Sequence, residues 1–448
     1  MKTRFTPIAL AFAAMFATSV HAQSAADLQQ AADRAVKAAE QAMKAAADAQ
    51  RAAEQAQQAV TQAQAAAADT NARAKPAAAP AQATGLSYQS GGNSVSLYGL
   101  LDVTLTHVDH ANAAGDARTS YQPAPWFSGS RWGLTGKHDL GTNGLAAIFR
   151  LESEFITNTG EEDSAGILFG RDAWLGLESA DLGKLSFGRQ NALGRDIAAG
   201  YLDPYGAAKA STAEGGGTNT NNFKQLIFYA GSATGTRYDR GVVWKKVFDN
   251  GIVGGLGYQF GGVAGSFSTN STKTAALAFN GGPFNIAGFV DSADVAHLKH
   301  NSYSIGGNYS FGLVRVNAGY FHYTADQGAA GAAGKRTDNA YTLSASFKPD
   351  GKLDYQAGYQ VMSAKNAGIT GSGATANVLN AYADTTAITT TATGKRKTLY
   401  GSIFYHFDRQ TEVYLAADHL SLTDAYRQKG ANGFLSQNEL GVGMRFRF

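Results

Sequence analysis

The sequence predicts an all-β transmembrane barrel of 16 antiparallel strands, preceded by a long periplasmic α-helix of coiled-coil type. Three observations lead there. Beyond Ser94 several stretches of about ten residues alternate apolar with small or polar side chains at period two, the signature of a strand. Short turns such as Asp181-Leu182-Gly183-Lys184 alternate with long Gly/Asn/Thr-rich loops. Only 16% of residues are charged while mean hydropathy is −0.22. Roughly 25% charge is usual in a soluble domain, so hydrophobicity here is spread thinly over faces and not concentrated in spans.

The same composition excludes other classes. No run of 18 apolar residues follows the N-terminus, which argues against a helical membrane protein. The absence of Cys removes disulfides, zinc ribbons and thiol catalysis. A net charge of +3 is too small to call for nucleic acid. His297 and His300 lack a carboxylate cluster and read as a solvated loop, and Glu161-Glu162-Asp163 reads the same way. No metal or cofactor is called for. No His-Glu-x-x-His, phosphate loop or Gly-x-Ser-x-Gly elbow is present, so no enzyme is expected.

The elements follow in order. Residues 1–22 read as a secretory signal peptide: Lys2 and Arg4, an apolar core over Pro7–Val20, and a small-x-small site at Val20-His21-Ala22. Residues 23–75 read as an alanine-rich coiled-coil helix. From Ser24 to Ala83 there are 28 Ala in 60 residues and neither aromatics nor Gly. Leu28, Ala35, Ala42, Ala49, Ala56 and Ala63 recur every seven residues as the seam. Pro76 and Pro80 end it, and 76–93 reads as a Pro/Gly linker. The barrel is expected over 94–448. Its strands are placed near 94–108, 129–139, 145–155, 171–179, 184–190, 238–248, 252–261, 272–280, 284–294, 301–310, 314–324, 339–348, 353–362, 397–407, 411–420 and 437–448. Strands of this length suit a tilted bilayer span. Closure satisfies every backbone group in lipid. An even count returns both ends to the short-turn side, which in such barrels is periplasmic.

Several motifs then carry a resemblance. Ser94-Val-Ser-Leu-Tyr-Gly-Leu-Leu-Asp102, Gly129-Ser-Arg-Trp-Gly-Leu-Thr-Gly136, Ala147-Ile-Phe-Arg-Leu-Glu152, Leu168-Phe-Gly-Arg171, Leu185-Ser-Phe-Gly-Arg-Gln190 and the ending Gly441-Val-Gly-Met-Arg-Phe-Arg-Phe448 appear in order. Together they resemble the general trimeric porins of β-proteobacterial outer membranes, over roughly 94–448. The alanine-rich rod departs from that pattern. The resemblance implies a homotrimer in outer-membrane lipid and lipopolysaccharide, with each pore narrowed by an inward third loop. It also implies that Phe448 belongs to the signal read by the barrel-assembly machinery.

Selectivity in such a pore comes from charges at its narrowest point, where low-dielectric walls focus the field. Arg150 lies on the polar face of its strand beside Glu152. The resemblance places Arg131 and Arg171 facing the constriction, and Arg189 ends the strand before the third loop. That loop, about 191–223, carries Arg195, Asp196, Asp203, Lys209 and Glu214. A basic wall facing loop acids predicts passive diffusion of ions and small hydrophilic solutes with weak anion preference. The rod suggests contact with peptidoglycan through residues 24–75. The alternative is a structural tether to peptidoglycan whose barrel conducts poorly.

Overall fold

A computed structural model describes residues 86–121, 126–141, 144–203, 225–295, 297–327, 335–370, 388–424 and 434–448. The expected signal peptide, the alanine-rich helix and the first part of the linker lie outside them. The strands are β1 (Leu86–Ser90), β2 (Asn93–Val108), β3 (Arg118–Tyr121), β4 (Ser130–Asp139), β5 (Ala146–Phe155) and β6 (Asp172–Ser179). Next come β7 (Gly183–Asn191), β8 (Arg237–Val247), β9 (Ile252–Gln259), β10 (Thr272–Gly281), β11 (Phe284–Val295) and β12 (Leu298–Phe311). The last six are β13 (Val314–Ala325), β14 (Arg336–Phe347), β15 (Leu353–Thr370), β16 (Ile388–His406), β17 (Thr411–Asp424) and β18 (Ser436–Arg447).

Sixteen of these, β2 and β4–β18, form one closed antiparallel ring. Each pairs with the next, and β18 returns to β2 from Glu439↔Val108 to Arg447↔Leu100. The expected strand count and placement are borne out. No helix among the described residues is long and apolar enough to cross a membrane. The period-two pattern explains the wall: Leu101, Val103 and Leu105 of β2 are exposed outward while Asp102, Thr104 and Thr106 are buried inward. Exposed Leu277, Val290, Ile305, Leu343 and Leu399 continue the outward apolar band. Tyr303 and Phe311 bound it on β12. They stand eight residues apart, roughly 26 Å along the strand, which a tilt of about 40° turns into about 20 Å of height, within the ~25 Å of a lipid-facing band.

One rim carries seven ring connections of two to six residues; the other carries the longer loops and one two-residue connection, between β11 and β12. In such barrels the short turns are periplasmic and the long loops extracellular. The strand β1 lies within the stretch read as linker. Gly91 and Gly92 at φ +54° and +81° turn the chain back, and β1 pairs with β2 from Leu86↔Leu97 to Ser90↔Asn93. It therefore occupies the edge of β2 below the point where β18 ends. At that seam Phe448 exchanges backbone hydrogen bonds with Gly99 (2.9 and 3.1 Å). A Cβ at position 99 would lie 2.1 Å from the Phe448 ring, so any side chain there would have to displace that ring.

The core lies inside the ring. Trp126 and Phe127, from the first long loop, are fully buried against Tyr400, Phe404 and Tyr414. Indole Nε1 of Trp126 donates to Thr106 Oγ1 at 2.9 Å. A larger cluster gathers around the described parts of the third long loop, 192–203 and 225–236, which turn inward.

Candidate functional site

The third loop begins with the short helix α1 (Leu193–Ile197), which runs on as a π-helical turn over Ala198–Leu202. Its apolar residues Leu193, Ile197 and Leu202 have no lipid to meet and bury against the inner wall. The wall is cut back to receive them. A Cβ on Gly306 would come within 2.7 Å of Leu202, and one on Gly319 within 2.8 Å. The loop then reaches β14–β16 through Asp203. That carboxylate accepts from Gln360 Nε2 and Tyr400 Oη at 2.9 Å, from Ser344 Oγ at 3.3 Å and from Thr342 Oγ1. The returning limb is tied by Tyr229, whose hydroxyl donates to Asp338 at 2.9 Å while Arg336 grips the same carboxylate.

Between α1 and the inner wall from β4 round to β13 lies a cavity of about 690 Å³. Its charged lining contains six cations, Arg131, Arg150, Arg171, Arg195, Lys245 and Arg315. Against them stand three acids, Glu152, Asp172 and Asp196. The formal balance is thus three positive charges. Arginine and lysine side chains from β4, β5, β8 and β13, from α1 and from Arg171 at the entry to β6 converge here.

Glu152 is the hub of the basic wall. It accepts from Tyr98 Oη at 2.7 Å and pairs with Arg150 and Arg171, and Arg131 approaches at 4.0 Å. Arg171 also pairs with Glu154. Arg131 Nε donates to the Gly129 carbonyl at 2.9 Å. Arg131 and Arg171 are buried, whereas the Arg150 side chain keeps 35% of its surface and lies 3.4 Å from Asp172. Lys245, on β8, is 38% exposed and pairs with Asp196 of α1. Asp196 also accepts from Asn191 Nδ2 at 3.2 Å, and buried Arg195 donates to Asn191 Oδ1 at 2.9 Å.

The residues singled out from sequence therefore separate. Arg131, Arg150, Arg171, Glu152 and Asp196 come together around the cavity, with Arg195. Asp203 is fully buried in the anchor at β14–β16 and lines no part of it. Arg189 is drawn to Asp239 and to the Gly170 carbonyl at 2.6 Å, and also stands outside it. Lys209 and Glu214 lie outside the described residues. Sequence reasoning left out Lys245 and Arg315. Arg315 was legible from the alternation of Val314, Val316 and Ala318. Lys245 was hidden by its neighbour Lys246, since two adjacent charges conceal which one faces inward.

Two histidine and acid readings change as well. His300 is not in a solvated loop: β12 starts at Leu298, and the ring is buried with Nδ1 at 2.6 Å from Tyr323 Oη. Asp163, in the second long loop, is partly buried, and its carboxyl is pushed above the ordinary carboxylate range. Burial is the main cause and the Glu154 charge the second, opposed by Arg237 and Arg171.

A family model for Gram-negative porins matches residues 9–425. The chain belongs to the Gram-negative porin family. Membership accords with the closed ring and places the porin in the outer membrane. An outer membrane porin protein of Bordetella pertussis is 31% identical over 263 residues, which are 52% of this chain. The porin spans 64% of the length of that curated relative. Among solved structures, an anion-selective porin from Comamonas acidovorans is similar with a TM-score of 0.60 at 20% identity, over 80% of this chain and all of that one. OmpT of Vibrio cholerae, at a TM-score of 0.55 and 16% identity over 81% of this chain and all of that one, shares the fold too.

Proposed function

We propose that this porin forms a water-filled channel for passive diffusion of ions and small hydrophilic solutes, with a weak preference for anions. The carrying observation is the cavity lined by six cations and three acids, held open between the wall and an inward loop. In such a channel Arg150 and Lys245 do the steering. They reach water, while Arg131, Arg171 and Glu152 hold Arg150 in position. A passing anion exchanges part of its hydration for these donors, and a cation meets an uncompensated positive field. The Comamonas porin that shares this fold is anion-selective, which agrees with that sign. Transport by diffusion needs no reacting group, so the channel reading is also a reading without catalysis.

Assembly belongs to the same proposal. It comprises a homotrimer, recognition of Phe448 by the barrel-assembly machinery, and contact of residues 24–75 with peptidoglycan beneath the membrane. The chain then divides into 1–22, 23–75, 76–93 and 94–448. Support for the role of Phe448 is its fixed position at the seam beside Gly99. A trimer form of OmpT is among the similar folds. The tether alternative, with a poorly conducting barrel, gains nothing from a lumen that holds this cavity.

The test is a planar bilayer with a salt gradient. Stepwise currents with a reversal potential of anion sign support the reading. A cation-sign potential overturns the selectivity, and absence of steps overturns the channel.

A further inference from the structure

Across the cavity from the basic wall stands an array of amides. Asn280 of β10 pairs with Asn285 of β11, Asn285 with Asn308 of β12, Asn308 with Asn317 of β13, and Asn317 with Ser344 of β14. All five face inward, in phase with buried Ala278, Ala287 and Thr342 on their strands. Neighbouring strands lie about 4.8 Å apart, so the four amides extend roughly 14 Å along the wall. Asn280, Asn285 and Asn308 line the cavity.

Arg315 lines it too, one inward step closer to the short-turn rim. It pairs with Ser310, two residues beyond Asn308. Its Nε donates to Asn317 Oδ1 at 3.1 Å and its Nη2 to the Gly200 carbonyl at 3.4 Å. It forms no ion pair among the described residues, whereas Arg150, Arg171 and Lys245 each hold a carboxylate. Asn308 is spent on structure: its Nδ2 donates to the Tyr201 carbonyl at 3.1 Å, and its Oδ1 accepts from Asn285 Nδ2 at 2.9 Å. The Oδ1 of Asn285 and both amide atoms of Asn280 have no hydrogen-bond partner among the described residues.

These open groups define a ligand. A guanidinium without an acid calls for a carboxylate. An amide oxygen calls for a donor, so an inorganic anion beside Asn285 meets a like partial charge. A hydroxyl both donates and accepts, as an amide does, and can satisfy both atoms of Asn280. Two strand spacings, roughly 10 Å, separate the Arg315 and Asn285 backbones, a gap that their side chains and a short carbon chain bridge. A carboxylate carried on a chain of hydroxyls satisfies all three residues at once.

We propose that Arg315, Asn280 and Asn285 form a solute subsite for polyhydroxylated carboxylates, the sugar acids, on the short-turn side of the cavity. Arg315 takes the carboxylate. The two amides take hydroxyls and replace the hydration that the solute leaves behind. The subsite gives the proposed channel a solute class and rests on the cavity being open to solute. Binding is measurable without current, so the two readings fail separately.

The experiment uses the full chain, folded in detergent and checked by heat-shifted electrophoretic mobility. Saturation-transfer NMR compares three probes. Gluconate carries both features, hexanoate has the same chain length and charge without hydroxyls, and sorbitol has the hydroxyls without the charge. Gluconate is expected to bind about tenfold more tightly than either. Asn280→Ala, which removes no hydrogen bond among the described residues, and Asn285→Ala should each weaken gluconate roughly fivefold and leave hexanoate unchanged. Arg315→Gln should weaken gluconate and hexanoate by a similar factor and leave sorbitol unchanged. Asn301→Ala, on the outward face of β12, should alter none of the three. Three results overturn the subsite: equal affinity for gluconate and hexanoate, unchanged gluconate affinity in both Asn variants at the amide wall, or unchanged gluconate affinity in Arg315→Gln. A barrel that binds gluconate in this pattern yet gives no current steps in a bilayer keeps the subsite and overturns the channel.

Discussion

Two arcs of the barrel wall, β4–β8 and β14–β18, are built on the same alternation yet use their inward charges in opposite ways. On the first arc Arg150 and Lys245 reach the cavity, with buried Arg131 and Arg171 behind them. On the second, Arg396 and Arg445 are as fully buried as core aromatics. Arg445 pairs with Glu412 and lies over Phe404 at 5.0 Å and Phe127 at 5.5 Å. Asp203 is likewise consumed by four donors. The difference comes from what packs on each arc. The inward loops cover the second arc, so its charges hold loops in place. The first arc borders the cavity, so Arg150 and Lys245 face solute while the charges behind them are buried. An inward charge on a barrel strand is therefore a pore residue only where its side chain stays open to the cavity, as Arg150 and Lys245 do.

The strongest way to test this division is Arg171→Gln. It is expected to destabilise the folded barrel by about 3–5 kcal/mol, because it leaves Glu152 and Glu154 buried with one fewer partner each. The denaturant midpoint reads the loss. A cost below about 1 kcal/mol would show that Arg171 is solvent-compensated like Arg150, and the proposed division within the first arc would fail.

Next is Asp203→Ala, which strands the Thr342, Ser344, Gln360 and Tyr400 donors. A cost of about 2–3 kcal/mol is expected, together with larger and noisier single-channel currents as the loop leaves its anchor. Asp196→Asn should show neither change and should shift reversal potential toward anions. Identical behaviour of the two variants would erase the contrast between pore acid and anchor acid.

Arg150→Gln has a smaller energy and a direct readout. Removing one partly exposed charge from the path is worth about 1 kcal/mol, a several-fold fall in the anion-to-cation ratio. Arg150 should shift the ratio more than Arg131, which is buried. The reverse order would place the constriction elsewhere.

These contrasts also mark what the sequence could convey. All sixteen ring strands were legible because lipid forces every second residue of a strand to be apolar, and that constraint is local. The basic cluster was legible by the same parity at Arg150. The separate fates of Asp196 and Asp203 were not. Seven residues apart on one loop, they differ only in which distant strand each meets, β8 or β14–β16. The insertion of Trp126 and Phe127 was equally hidden, since loop aromatics have no period to read. Nor could β1 be seen behind its Gly91-Gly92 turn, because five residues are too few to establish alternation.

The smallest expected effect lies on the rim above the first arc. Asp163 sits partly buried beside Glu154, and both push its carboxyl above the ordinary 3.8. The folded state thus holds this proton to a higher pH than the unfolded chain does. As pH rises above that ordinary value, the unfolded state loses its proton first, so folding stability falls until the folded-state group has also ionised. Above that window the cost is constant. Asp163→Asn removes it: the variant should melt slightly higher than wild type near neutral pH, and the gap should close as pH falls toward about 4. Arg237 and Arg171 oppose the shift, which keeps the effect small. A gap of the opposite sign, with the variant less stable at neutral pH, would mean that the arginines dominate and that the first arc's positive field extends up to the second loop.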